Sequence, residues 1–163
     1  TGPRELIEPV RAALGVLGGI IDSHAAWLLL RGIKTLDLRM ARHNSNGLAL
    51  AQYLERHPKI RKVFYPGLPS HPDHEVAERI MNGAGGVVTF EIDTDLEGAM
   101  RFIDATTIPY QAPSLGGVES LIEHRASVEG PESTTSPGLL RLSIGLENPG
   151  DLIEDLRSAV AAA

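Results

Sequence analysis

The chain has 163 residues, with 15 lysines and arginines against 21 aspartates and glutamates, and it contains no cysteine. This length allows one domain with a substantial core, and a net charge of −6 without a dense basic block argues against a nucleic-acid partner. Without cysteine there is neither a disulfide nor a thiolate metal site, and a reducing cytoplasm is the expected compartment. The longest apolar stretch, residues 14–30, is interrupted by Asp22, Ser23 and His24, so we expect no membrane span.

Two helices are predicted in the first 58 residues. Apolar residues at Leu6, Val10 and Leu14 indicate a first helix, which Gly18 and Gly19 end. A second helix begins at a cap formed by Asp22 or Ser23 and continues as one long helix, here called the spine, with a kink expected at Gly32. Its apolar stripe steps by three and four residues through Leu29, Ile33, Leu36, Met40, His43, Gly47, Leu50 and Leu54. Such a stripe suits a helix that joins two bodies, and it fits a plain core helix equally well.

Strands and helices alternate after His57-Pro58, which predicts a domain boundary between residues 58 and 59. Period-two and helical patterns predict strands at residues 61–65, 87–92 and 139–144, with helices near residues 74–81, 96–103 and 148–160. The stretch 129–138, rich in Gly, Pro, Ser and Thr, is expected to be a mobile loop. We therefore expect an α/β sandwich, with helices on one face of a small, mostly antiparallel sheet.

Two short stretches carry candidate binding residues. The first is a glycine turn, residues 114–120, which opens with Ser114-Leu115-Gly116-Gly117; its backbone amides can approach an anion closely, and the Ser114 hydroxyl can donate to the same anion. The second is Arg141, which stands on the strand face opposite the apolar residues. Its guanidinium either binds a ligand carboxylate or forms an ion pair with Glu119, Glu91 or Glu147, and the pattern leaves both open.

Other polar residues are weaker candidates. The run His71-Pro72-Asp73-His74 has a metal-ligand spacing, but we interpret it as a polar helix entry and predict no metal site. His43 lies on the apolar stripe of the spine, which favours a core histidine over a catalytic base. The lysines are Lys34, Lys59 and Lys62, and none has a pocket-like context suited to a Schiff base.

Five runs of the sequence carry a family resemblance: residues 29–36, 39–40, 65–68 with 70–72, 114–120 and 141–147. Together they resemble the Cys/Met-metabolism pyridoxal-phosphate (PLP) enzymes, among them cystathionine γ-synthase, cystathionine γ-lyase, methionine γ-lyase and the homoserine sulfhydrylases. The resemblance covers essentially the whole chain, but only the C-terminal part of such enzymes, beginning just after their cofactor lysine. It implies the C-terminal domain of a fold-type I PLP enzyme at residues 59–163. Residues 1–58 would be a helical segment left over from the large PLP domain, together with the spine.

The resemblance also implies a function. The intact protein would be a PLP-dependent lyase or transferase acting on sulfur-containing or O-activated amino acids, and a homotetramer. Arg141 matches the family's substrate-carboxylate arginine, and Ser114 matches the serine of its glycine turn, supported by Leu115, Gly116 and Gly117. The cofactor-binding residues would belong to an N-terminal PLP domain, so this chain alone is expected to be inactive. The rival hypothesis is a non-catalytic α/β module that binds a small carboxylate or serves oligomerisation.

Two departures from the family pattern matter. Many γ-acting members have a glutamate directly before the serine, whereas this chain has Pro113, so this position does not separate synthase, γ-lyase and sulfhydrylase. Residues 124–130 replace the usual Pro-Ala-x-Met-Thr-His stretch, which leaves a threonine often found near the substrate without a counterpart. The chain begins at Thr1 rather than at methionine, and we expect further sequence upstream.

Overall fold

Two helices account for most of the first 37 residues in a computed structural model that describes all 163 residues. Helix α1 spans Arg4–Leu17 and ends at Gly18, whose φ of 75° is the left-handed conformation that glycine adopts readily at helix C-termini. Helix α2 spans Ser23–Ile33 and is capped by Asp22, whose side chain accepts hydrogen bonds from two backbone amides of the first turn. Neither helix buries any of its residues in this chain.

The predicted spine is interrupted and forms two helices. Helix α2 ends at Ile33, and helix α3 spans Leu36–Glu55. The interruption follows Gly32, where the sequence predicts a kink, because glycine is a poor helix former. The Thr35 hydroxyl donates to the Gly32 carbonyl at 3.4 Å, and such a bond competes with the hydrogen bonds of a continuing helix. An unbroken apolar period therefore does not guarantee an unbroken helix.

Contacts divide the chain into residues 1–37 and residues 38–163, whereas the sequence places a boundary between residues 58 and 59. The two divisions differ because Leu50, Ala51 and Leu54 of α3 belong to the hydrophobic core of the second unit. His57-Pro58 directly follows the end of α3 at Glu55. The assignment of residues 1–58 to a large PLP domain and the spine stays a prediction.

A five-stranded sheet lies in the second unit. Its order is β1-β2-β5-β4-β3, and every neighbouring pair is antiparallel except β3 and β4, which are parallel. The small, mostly antiparallel sheet is thus confirmed, although β3 and β4 were not predicted. Residues of β4 are buried on both faces, so this strand shows no alternation, and β3 has only two residues. The strands are β1 Ile60–Phe64, β2 Val87–Ile92, β3 Tyr110–Gln111, β4 Leu121–His124 and β5 Leu139–Ser143.

Three further helices lie between strands and a fourth follows β5: α4 His74–Ile80, α5 Leu96–Ala105, α6 Arg125–Glu129 and, after the last strand, α7 Pro149–Ala162. Asp95 caps α5 by accepting a hydrogen bond from the Gly98 amide, and Asn148 caps α7 by accepting one from the Gly150 amide. The predicted start of the terminal helix is confirmed, and the short α6 was not predicted. None of the helices has the length and apolar content needed to cross a membrane.

The hydrophobic core lies on one face of the sheet. Val88 and Phe90 of β2 and Leu140 and Leu142 of β5 are fully buried there, against residues of α3, α5 and α7. The ring of Phe90 meets that of Phe102 edge to face, with 5.9 Å between the centroids. The other residues of β2 remain partly exposed on the opposite face, as the predicted alternation requires. This open face carries the polar groups described next.

Candidate functional site

Arg141 occupies the middle of β5, on the open face of the sheet. The strand register places it directly opposite Thr89 of β2 and Glu123 of β4. Its neighbours Leu140 and Leu142 face the core, so the alternation of the strand directs Arg141 the other way. The side chain keeps 21% of its surface exposed, which leaves the guanidinium within reach of a small ligand.

Glu123 is the acidic neighbour of Arg141. Its Oε1 lies 2.9 Å from Arg141 Nε, and only 3% of the Glu123 side chain is exposed. The distance is that of an ion pair, yet Arg141 Nε and Glu123 Oε2 make no hydrogen bond, so the contact is electrostatic rather than directed. The sequence analysis names Glu119, Glu91 and Glu147 as possible partners, and the structure places none of them in this pair. The register of β4 against β5 places Glu123 next to Arg141 and so determines the acidic partner of Arg141.

The glycine turn connects β3 to β4 and lies beside Arg141. Arg141 Nη2 donates to the backbone carbonyl of Ser114 at 3.2 Å, so the contact involves the main chain and not the hydroxyl. Gly116 has a φ of 79°, a left-handed conformation that favours glycine, and its amide donates to Ser143 Oγ at 3.1 Å. The structure therefore brings together Ser114 and Arg141, the two predicted site residues.

Hydrogen bonds between Ser120 and Glu147 join the end of the glycine turn to the segment that follows β5. The Glu147 carboxylate accepts hydrogen bonds from the Ser120 amide at 2.7 Å and from the Ser120 hydroxyl at 2.9 Å. Ser120 Oγ in turn accepts a bond from the Gly145 amide at 2.9 Å. Both residues belong to the two motifs identified from sequence, but nothing in the spacing indicated that they contact each other.

Arg125 extends the charged face beyond Glu123. Its Nη1 donates to Glu123 Oε1 at 2.6 Å and its Nη2 to Glu129 Oε1 at 3.0 Å. These hydrogen bonds, first to Glu123 and then to Glu129, raise the pKa of Arg125 above its usual value. Hydroxyl donors from Thr135 and Ser133 lower the pKa of Glu129. The loop that the sequence predicts to be mobile is thus hydrogen-bonded to α6.

The histidines considered from sequence form hydrogen bonds with backbone groups. His43 is buried, and its Nδ1 donates to the Ile144 carbonyl at 2.7 Å, as the interpretation as a core histidine expects. His74 Nδ1 lies 2.8 Å from the Pro66 carbonyl. The amide of Asp73 donates to His71 Nδ1 at 3.1 Å. These contacts agree with a polar helix entry.

The lysines of the second unit are committed to other contacts. Lys59 Nζ donates to the carbonyls of Val160 and Ala163, each at 3.0 Å. Lys62 Nζ lies 4.7 Å from the centroid of the Phe64 ring. Neither contact brings an amine to Arg141. Both amines of this unit are therefore engaged away from Arg141.

A partly exposed arginine beside a glycine turn presents planar guanidinium donors on the open face of an α/β sandwich. Comparison with known proteins identifies the family of the chain. The sequence model of the Cys/Met metabolism PLP-dependent enzymes matches residues 2–161, and the chain belongs to that family. Pyridoxal phosphate is accordingly its expected cofactor. The resemblance seen in the motifs is confirmed.

Several curated relatives are similar over nearly the whole chain. Cystathionine gamma-synthase 1, chloroplastic, of Nicotiana tabacum is 43% identical across 98% of this chain and 31% of its own length. Cystathionine gamma-lyase of Rattus norvegicus is 43% identical, with 98% and 42% covered. Cystathionine beta-lyase of Coxiella burnetii is 39% identical, with 96% and 43% covered. The chain thus spans about a third to two-fifths of the length of these relatives.

Proposed function

We propose that this chain is the C-terminal, substrate-binding portion of a PLP-dependent lyase or transferase of sulfur amino-acid metabolism. The observation that supports it is the position of Arg141, whose partly exposed guanidinium lies on the open face of the sheet and donates to the glycine turn. Family membership supplies the chemistry, because PLP enzymes of this family act on amino acids and every amino-acid substrate carries an α-carboxylate.

Arg141 binds that carboxylate in this proposal. A guanidinium presents donors in a planar fork that matches the two oxygens of a carboxylate, which a lysine cannot do. Glu123 lies against Nε and the Ser114 carbonyl accepts from Nη2, so the end of the guanidinium remains for the ligand. Ser114 assists with its exposed hydroxyl, while Leu115, Gly116 and Gly117 support the backbone of the turn.

The chemistry of bond breaking belongs to PLP, which serves as an electron sink when it is bound. Lys59 and Lys62 are engaged elsewhere, so the lysine that holds PLP would come from an N-terminal PLP domain of the same protein. This chain alone would bind and orient a carboxylate without catalysing a reaction. The named relatives include a synthase and two lyases, so we state the proposed reaction as a lyase or transferase reaction.

The first unit supports the proposal of further partners. This unit carries exposed large apolar side chains, including Val16, Leu17, Ile20 and Leu30, with exposures from 64 to 87%. Monomeric proteins rarely leave so much apolar surface in one short segment. We propose that these side chains pack against the N-terminal PLP domain and against neighbouring subunits of a homotetramer.

The carboxylate role is tested with Arg141→Ala in the PLP-loaded protein of natural length. We expect the affinity for an amino-acid substrate to fall roughly a hundredfold, because two charge-assisted hydrogen bonds are lost, while PLP stays bound. Arg157→Ala, which removes an exposed arginine on α7, is the matched control. Unchanged substrate affinity, or loss of PLP in place of substrate, would refute the role of Arg141.

The mass of the natural protein separates the proposal from its rival. A longer protein that binds PLP is expected, and PLP absorbance should appear with the N-terminal portion and never with this chain alone. A natural protein of this length that folds and binds small carboxylates without PLP would instead support a non-catalytic module.

A further inference from the structure

Glu123 and Arg125 flank the proposed carboxylate site with opposite charges. Glu123 lies directly across from Arg141 in the β4–β5 pair, and Arg125 follows it after one residue at the start of α6. Both guanidiniums approach the same carboxylate oxygen, Arg141 Nε at 2.9 Å and Arg125 Nη1 at 2.6 Å. Two positive groups and one negative group leave this arginine cluster of Glu123, Arg125 and Arg141 with a net charge of +1.

Burial reduces the solvent screening of the charges in this cluster. Glu123 is 3% exposed, whereas Arg125 and Arg141 keep 27% and 21% of their side chains exposed. A carboxylate removed from water needs compensating charge, and charges in such a place are screened less than surface charges. Glu129, the second partner of Arg125, is more exposed and therefore compensates that arginine less effectively.

The hydrogen bonds show which arginine holds Glu123. Arg125 Nη1 donates directly to Glu123 Oε1, whereas Arg141 Nε makes no hydrogen bond although it lies within ion-pair distance. Glu123 Oε2 also lacks a donor. The hydrogen bond to Glu123 therefore comes from Arg125. The Nε of Arg141 is a donor without a hydrogen-bond partner beside the buried Glu123 carboxylate.

We propose that Glu123 and Arg125 set the carboxylate affinity of Arg141 in opposite directions, so that Glu123 weakens the binding of an anionic ligand and Arg125 strengthens it. This inference rests on the proposed function of Arg141. Glu123 repels an incoming carboxylate and competes with it for Arg141. Arg125 engages Glu123 and adds attraction for the anion. Both residues act through Arg141, so they are positioning residues that set its affinity for the α-carboxylate.

The experiment uses the PLP-loaded protein of natural length and L-cystathionine as the probe, with its dissociation constant read from the cofactor absorbance. Glu123→Gln should tighten binding by about tenfold, and Arg125→Gln should weaken it by about tenfold. The double variant should return close to wild type. Glu123→Gln keeps the side-chain size and removes the charge, whereas Arg125→Gln removes the charge and also shortens the side chain, as Arg157→Gln does among the controls. Glu154→Gln and Arg157→Gln, an exposed ion pair on α7, are the matched controls and should leave the constant unchanged.

The outcomes separate this inference from the function on which it rests. If Arg141→Ala leaves the affinity unchanged, the proposed function fails and the inference with it. If Arg141→Ala weakens binding but the two charge variants shift it in the same direction, or do not shift it, the inference alone is overturned. Should Glu123→Gln fail to fold, Arg125→Lys decides, because it retains the charge and should bind far more tightly than Arg125→Gln.

Discussion

Alkaline pH should destabilise the chain through Tyr65. This side chain is 1% exposed, and its burial raises the pKa of the phenol from 10.0 to about 12. The hydroxyl donates a hydrogen bond to the Gly85 carbonyl at 2.8 Å, which a phenolate could not do. Folding therefore favours the protonated form of Tyr65.

The size of the effect follows from proton linkage. An unfolded chain releases the Tyr65 proton near pH 10, about two pH units before the folded chain does. The stability that Tyr65 contributes is thus fully present below about pH 10 and is lost as the pH rises toward 12. At about pH 11 the loss amounts to about 1.4 kcal/mol of unfolding free energy relative to neutral pH.

Urea unfolding of the wild-type chain and of Tyr65→Phe, at neutral pH and near pH 11, measures this loss. Subtracting one from the other cancels the titration of the remaining groups, and the wild type should lose about 1.4 kcal/mol more than the variant. Tyr110→Phe, which removes an exposed hydroxyl, is the matched control. Equal losses for the wild type and Tyr65→Phe would show that Tyr65 is not protected in the folded state, and the reasoning would be wrong.

Two substitutions test the packing behind the site. In Gly145→Ala, the new Cβ would lie 2.3 Å from the Val118 carbonyl oxygen, so the glycine turn must shift, and we expect about 1–3 kcal/mol of destabilisation in chemical unfolding together with weaker substrate binding. Gly15→Ala, in α1 with nothing near the added methyl, should cost nothing; equal stability of the two variants would contradict the steric argument. Asp155 is buried and accepts hydrogen bonds from the amide and the hydroxyl of Thr107 and from the following amide. Asp155→Ala should therefore cost about 3 kcal/mol, and Asp155→Asn clearly less, because the amide oxygen still accepts; a loss within error of zero for alanine would show that these bonds carry no net stability.

Patterns within single elements were predicted well from sequence. The alternation of Val88 and Phe90 with polar neighbours marks a strand with one buried face, and the structure places both in the core. Asn148 followed by Pro149 marks the start of the terminal helix, where Asn148 is observed as the cap. The open-face position of Arg141 follows from the same alternation. Each of these features depends on neighbours within a few residues.

Features that the apolar pattern of a single element does not show were missed or incomplete. The strand β4 was missed because both of its faces are buried, with Glu123 and His124 among the buried residues, so its four residues show no apolar-polar alternation. The spine is interrupted at the hydrogen bond between Thr35 and Gly32, and the spacing of apolar residues does not predict this bond. The sequence pattern also did not show that Leu50 and Leu54 of α3 belong to the core of the sheet, and the predicted domain boundary stays a prediction.

The sequence by itself determined the family and the two motifs that carry Ser114 and Arg141, since motif identity is a property of residues adjacent in the chain. Only the tertiary structure decided that the two motifs meet, that Arg141 contacts the Ser114 carbonyl, and that its acidic neighbour is Glu123. The physical reason is strand register. Glu123 and Arg141 are opposed because β4 pairs with β5 in one particular alignment, and a shift by one residue would direct either side chain into the core.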